Sequence, residues 1–217
     1  MTAIADSIPV AYTPTGGWTR WPPPVLAGCT EPLCDGAPDM RGFWRTIEVV
    51  AEGAIQLEHP ALGHVQRIEQ AGDRVVVTGA GIIHDMRCDG TLRNGVHDVA
   101  EFDKSVEIHV IASFEDGVHV LRPHGLDSEA EPEGEAVARA ARGRSEQERE
   151  TTGDATRKIA SRRSLLGSGP IEIRRRREGE HLIWDYLGFT ARLQRIAPPD
   201  ADPQFVFAEI EQPEQSP

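Results

Sequence analysis

Two side chains that face each other across a hairpin could move a proton in this chain. Segment 80–102 alternates apolar and polar residues around Asp89-Gly90 and Asn94-Gly95, residue types that tight turns need for positive φ. Folded about Thr91, it sets Ala80 opposite Phe102, Ile82 opposite Ala100, His84 opposite Asp98 and Met86 opposite Val96. Directly opposed Cβ atoms lie about 4.5–5.5 Å apart, so one imidazole and one carboxylate would meet on an otherwise apolar face. A carboxylate on one ring nitrogen fixes the tautomer and raises the basicity of the other, the arrangement of a general base. The expectation is a catalytic pair of His84 and Asp98 beside the ligand-lining Met86. The alternative is a satisfied structural pair, and a one-residue slip of register would dissolve either.

The next hairpin, folded about Asp116, pairs Phe114 with Val118, Ala112 with Val120, Val110 with Arg122 and Ile108 with His124. In that register Arg122 and His124 reach the apolar face as ligand-binding groups, and Arg122 would hold a carboxylate or an enolate. His109 and His119 then fall outside. Tyr186 is a candidate acid if Gly188 is a bulge that swaps the faces of the last hairpin. The run 174–177, all Arg and flanked by Glu172, Glu178 and Glu180, reads as a charged outer edge that blocks strand-to-strand aggregation. His64, with His84 and His124, raises the possibility of a metal site, but no His-x-His pair shares a strand, so no metal is expected. Cys29, Cys34 and Cys88 lack Cys-x-x-Cys spacing, and phosphate loops, nucleophile elbows and His-Glu-x-x-His helices are missing. The expectation is chemistry without a cofactor.

Short β-branched runs must position these groups: 43–50, 64–69, 74–79, 80–88, 96–102, 105–114, 118–121, 171–177, 181–187 and 189–196, with one further strand at 205–210. They are separated by Gly-, Asp- and Asn-bearing turns and carry no crossover helix. Residues 1–40 are rich in Pro and read as an extended arm anchored by Trp18 and Trp21. Segment 126–169 is polar and lacks a buried stripe, so it reads as an insertion or lid, partly helical. The domain reading is arm 1–40, barrel 41–197 and tail 198–217. The fold class is all-β, an antiparallel up-and-down β-barrel of lipocalin-like type, since closure also removes exposed edges.

The segment Gly42-Phe43-Trp44 is similar to the Gly-x-Trp that opens the first strand of the calycin group, the lipocalin-like and fatty-acid-binding-protein-like barrels. Residues 189–195, Phe-Thr-Ala-Arg-Leu-Gln-Arg, resemble that group's Arg-bearing closing strand. The resemblance implies that Trp44 plugs one end of the barrel with Arg192 or Arg195 packed over it. It spans about residues 40–125 and 170–197; a Gly-rich haem signature is missing, so haem is not carried over.

With 23 Lys+Arg against 35 Asp+Glu, the net charge is −12, which disfavours nucleic acid and anionic membranes as partners. No apolar run has the length of a membrane span and no secretory leader is visible, so the expected location is cytoplasmic. The functional expectation is that a small hydrophobic metabolite binds in the lumen and undergoes acid–base chemistry as the substrate of an isomerase, cyclase or lyase. The competing expectations are a carrier without chemistry and an interaction domain without a cavity.

Overall fold

The computed structural model describes residues 3–124 and 171–211. Eleven strands form among them: β1 (Gly42–Ala51), β2 (Ala54–Ile55), β3 (Val65–Ala71), β4 (Arg74–Gly79), β5 (Ile82–Arg87), β6 (Val96–Val99), β7 (Glu107–Glu115), β8 (Val118–Pro123), β9 (Ile173–Glu178), β10 (His181–Tyr186) and β11 (Phe189–Ala197). Ten of them follow one antiparallel path, β5-β4-β3-β1-β11-β10-β9-β8-β7-β6, with β2 folded back on β1. The all-β, up-and-down barrel read from the sequence is what forms, nearly closed between β5 and β6. The insertion expected at 126–169 lies outside the described residues.

Two-residue turns set the registers. Glu52-Gly53, Ala80-Gly81 and Asp116-Gly117 each carry two consecutive positive φ values, the hairpin turn whose twist matches the strands it joins. Gly95 is required for a different reason: a Cβ there would sit 1.9 Å from the Val110 carbonyl oxygen.

Alternation along the strands sends Trp44, Ile68, Val75, Val77, Met86, Val96, Val110, Ala112, Leu121, Leu182, Trp184 and Leu193 into a common core. At one end Trp44, fully buried, donates from Nε1 to the Met40 carbonyl at 2.7 Å. The guanidinium over its ring belongs to Arg177, 5.0 Å from the centroid. Arg192 and Arg195 are exposed, so the cation that the family resemblance placed on β11 is supplied by β9.

The arm packs outside β3, β4 and β5, where Ala5 and Leu26 meet Val76 and Ile83. Trp18 donates to the Ile82 carbonyl at 3.0 Å, and Trp21 packs against Phe43 and Phe207. Two ion pairs are sealed beneath it, Arg67–Glu69 at 3.1 Å and Arg74–Asp85 at 2.6 Å. Arg74 also donates to the carbonyls of Ala5, Ile8 and Pro9. The arm then crosses the β5–β6 gap: the amide of Ala11 donates to Asp85, and the amide of Thr13 donates to Asp98. At the other terminus residues 203–211 form α1 (Pro203–Glu211), where a strand was expected. Asp202 accepts from the Gln204 amide at 2.9 Å and Pro203 starts the first turn, a helix-start signal that outweighs the apolar run.

Candidate functional site

The β7–β8 turn decides which polar groups enter the barrel. Asp116-Gly117 closes a two-residue hairpin in which Glu115 pairs with Val118, Phe114 with His119 and Ile111 with Arg122. The expected register, centred on Asp116, is one residue off, and a slip of one exchanges the two faces. His119 therefore points inward with no exposure. Arg122 points outward, where it donates to Glu115 and Glu172, and His124 is exposed at the end of β8. Neither Arg122 nor His124 reaches the lumen.

The same logic carries across the sheet. Along one row His119 pairs with Arg175, Arg175 with Trp184, and Trp184 with Ala191. Of the four consecutive arginines, Arg174 and Arg176 bond outer carboxylates, Arg174 to Glu172 and Arg176 to Glu178 and Asp185. Arg175 and Arg177 turn in. The run is an outer edge on one face only, because a strand sends alternate residues to opposite sides.

Arg175 is 3% exposed, lies 5.2 Å from the Trp184 centroid, and has Nε and one terminal nitrogen without a hydrogen-bond partner. Further buried polar groups are in the same condition. They are the ring nitrogens of His64 and His119, the side-chain amide of Gln66, one oxygen of Glu101, the Thr46 hydroxyl and Trp184 Nε1. His64 Nε2 and Glu101 Oε1 approach to 3.9 Å. Phe102, Tyr186 and Phe189 surround Trp184 with centroids 5.0 to 6.3 Å from it. Buried polar groups are almost always bonded, so a concentration of unpartnered ones marks where something else completes them.

The electrostatics follow from burial and one cation. Desolvation pushes the Glu101 carboxyl up to about 7 although Arg175 pulls the other way. Desolvation, with repulsion from Arg175, lowers His64 to about 4 and His119 to about 3. Both imidazoles are neutral at pH 7. Arg175 itself is lowered by burial, with partial compensation from Glu101 and Tyr186. The site thus offers a cationic donor, two neutral imidazoles and a carboxyl balanced between its two forms near neutrality.

His84 lies on the inner face of β5, opposite Val77. Its Nε2 lies 2.8 Å from the Val99 carbonyl oxygen. Burial lowers its basicity, while Val99 and the nearby Asp98 oppose that shift. The Asp98 oxygens accept from the amides of Thr13 and Val99, so the arm takes the carboxylate that was expected to orient His84. Met86 and Asp98 line a cavity of about 210 Å³ at the β5–β6 gap, together with Ile8, Val10 and Tyr12 of the arm. Tyr186 faces inward from β10, and Leu187-Gly188 is a turn between Tyr186 and Phe189, not a bulge.

Sequence reading missed Glu101, Arg175 and His119. Glu101 sits in the irregular stretch after β6, where period-two arguments stop. Arg175 was concealed in a charged run, although alternation required half of that run to face the core. The Asp-Gly pair was the signal for His119.

The fold and the site define a nearly closed antiparallel barrel with a polar, cationic centre inside an apolar wall. Compared with protein-family models, curated proteins and solved structures, the chain matches none. Among the described residues, no helix is long and apolar enough to cross a membrane.

Proposed function

We propose that the barrel binds a small hydrophobic molecule bearing a carbonyl or similar oxygen, and catalyses a proton transfer on it without a cofactor, as an isomerase, cyclase or lyase does. One observation carries this reading: the unpartnered, buried polar atoms of Arg175, Glu101, His64 and His119 are gathered inside an otherwise apolar wall. Ligand sites have this composition, mostly apolar with a few convergent polar groups. In the proposed reaction the Glu101 carboxylate removes a proton from carbon, and Arg175 with Trp184 Nε1 stabilises the oxyanion that develops. Glu101, now protonated, returns the proton at a second position, with His64 Nε2 3.9 Å from its carboxyl oxygen. A carboxyl poised near the working pH is efficient in both directions, and fixed donors in a dry site need no reorganisation. Gly42-Phe43-Trp44, with Trp44 buried beneath a guanidinium at one end, supports a calycin-type reading of the barrel.

The test begins with the full chain purified without denaturation and analysed by native mass spectrometry for a retained small molecule, alongside titration with the apolar dye 1-anilinonaphthalene-8-sulfonate. We expect stoichiometric occupancy or saturable dye binding that Arg175→Met weakens. A chain that is empty and binds no dye overturns the reading. With a substrate in hand, Glu101→Gln should lower kcat by about 10²–10⁴-fold while binding persists. Unchanged turnover in that variant removes Glu101 from the mechanism; a ligand that is bound and never turned over leaves a carrier, a role in which the uncharged His119 serves as a hydrogen-bonding group alone.

A further inference from the structure

On the outer face of the barrel, away from the lumen, two exposed imidazoles are paired in register on neighbouring strands, His97 of β6 and His109 of β7. Their Nδ1 atoms are 2.9 Å apart, and the ring centroids are 5.0 Å apart. His97 Nε2 lies 2.7 Å from the Leu92 carbonyl oxygen. A carbonyl only accepts, so His97 carries its proton on Nε2 and its Nδ1 is a bare lone pair directed at His109. Metal-binding histidines are oriented in this way: one nitrogen donates to a backbone carbonyl and the other is left free to ligate.

We propose that His97 and His109 chelate a divalent transition-metal ion through their two Nδ1 atoms. With metal–nitrogen bonds of about 2.0–2.1 Å, two ligands 2.9 Å apart subtend about 90° at the metal. That is the cis angle of square-planar and tetragonal sites and points to Cu²⁺ or Ni²⁺, whereas a tetrahedral ion needs ligands about 3.3 Å apart. The proton that His109 holds on Nδ1 in the metal-free pair moves to its Nε2 through exchange with water, so binding involves no net protonation change there. Among the described residues, no His, Cys, Asp or Glu completes a group of three or more with this pair, so the described residues supply two ligands and leave the other positions open to water. The ion joins β6 to β7 beside the β5–β6 gap, where the barrel depends on the arm for closure.

The experiment uses the full chain without an affinity tag, titrated calorimetrically with Ni²⁺ and examined with one equivalent of Cu²⁺ by electron paramagnetic resonance. The expected results are one equivalent bound, nitrogen hyperfine structure from two imidazoles, and affinity weakened by about tenfold or more in either His97→Ala or His109→Ala. His124→Ala, just past the end of β8, should bind as the parent does. Binding that survives the double variant, or no binding by the parent, overturns the proposal. Because both side chains are exposed, the variants should fold, and unchanged far-ultraviolet circular dichroism checks that they do.

Discussion

Glu101, His64 and His119 make stability depend on pH in opposite senses. The folded-state value of Glu101, about 7 against an ordinary 4.5, means that the native state holds the proton more tightly. Its contribution is fully present below pH 4.5 and is lost as pH rises through about 7. Glu101→Gln should therefore gain stability relative to the parent at pH 8, by up to about 3 kcal/mol, and little at pH 4. The histidines work the other way. Their folded values, about 4 and about 3 against 6.5, give stability that is present above pH 6.5 and is lost as pH falls through those values. His119→Gln should flatten the acid limb between pH 6.5 and 3. Urea unfolding at unit pH intervals measures both; an unchanged slope in either variant would dissociate that residue from the titration.

The strands and turns carry predictions of their own. Ala80 is held at φ 49° in the β4–β5 turn, a conformation that Asn tolerates better than Ala. Ala80→Asn should raise stability by about 0.5–1 kcal/mol, read as a shift in denaturant midpoint at constant slope. Gly95→Ala should do the reverse, because its Cβ would collide with the Val110 backbone at 1.9 Å and β6 would have to move. Removing Asp85 strands the buried Arg74 guanidinium, which bonds both carboxylate oxygens. Asp85→Ala should cost about 3–5 kcal/mol. A loss below about 1 kcal/mol would show that the arm carbonyls suffice to satisfy Arg74.

For the whole molecule the arm acts as the stave that completes a barrel whose own edges do not pair fully. The Ala11 and Thr13 amides bond Asp85 and Asp98 on the two sides of the gap, and Thr13 also exchanges hydrogen bonds with the Ile83 backbone. Deleting residues 1–13 should speed amide hydrogen exchange in β5 and β6, while β9, β10 and β11 keep their protection. Uniform acceleration across all strands would mean that the arm stabilises the fold globally.

Short-range chemistry made much of this architecture legible. Period-two alternation and Gly-bearing turns placed nearly every barrel strand to within a few residues, because side-chain direction and turn geometry are decided over two to four residues. The inner face of β5, with His84 and Met86, was readable for the same reason. The Asp116-Gly117 turn that put His119 in the lumen in place of Arg122 is local too, and its two-residue length was the signal that the register reading passed over. Two decisions belonged to the tertiary structure. The arm took Asp98 away from His84. An irregular stretch brought Glu101 to Arg175, 74 positions later in the chain. The alternation of the 174–177 run could have been read locally; its partners could not, since contacts between distant segments depend on closure of the barrel and not on residue spacing.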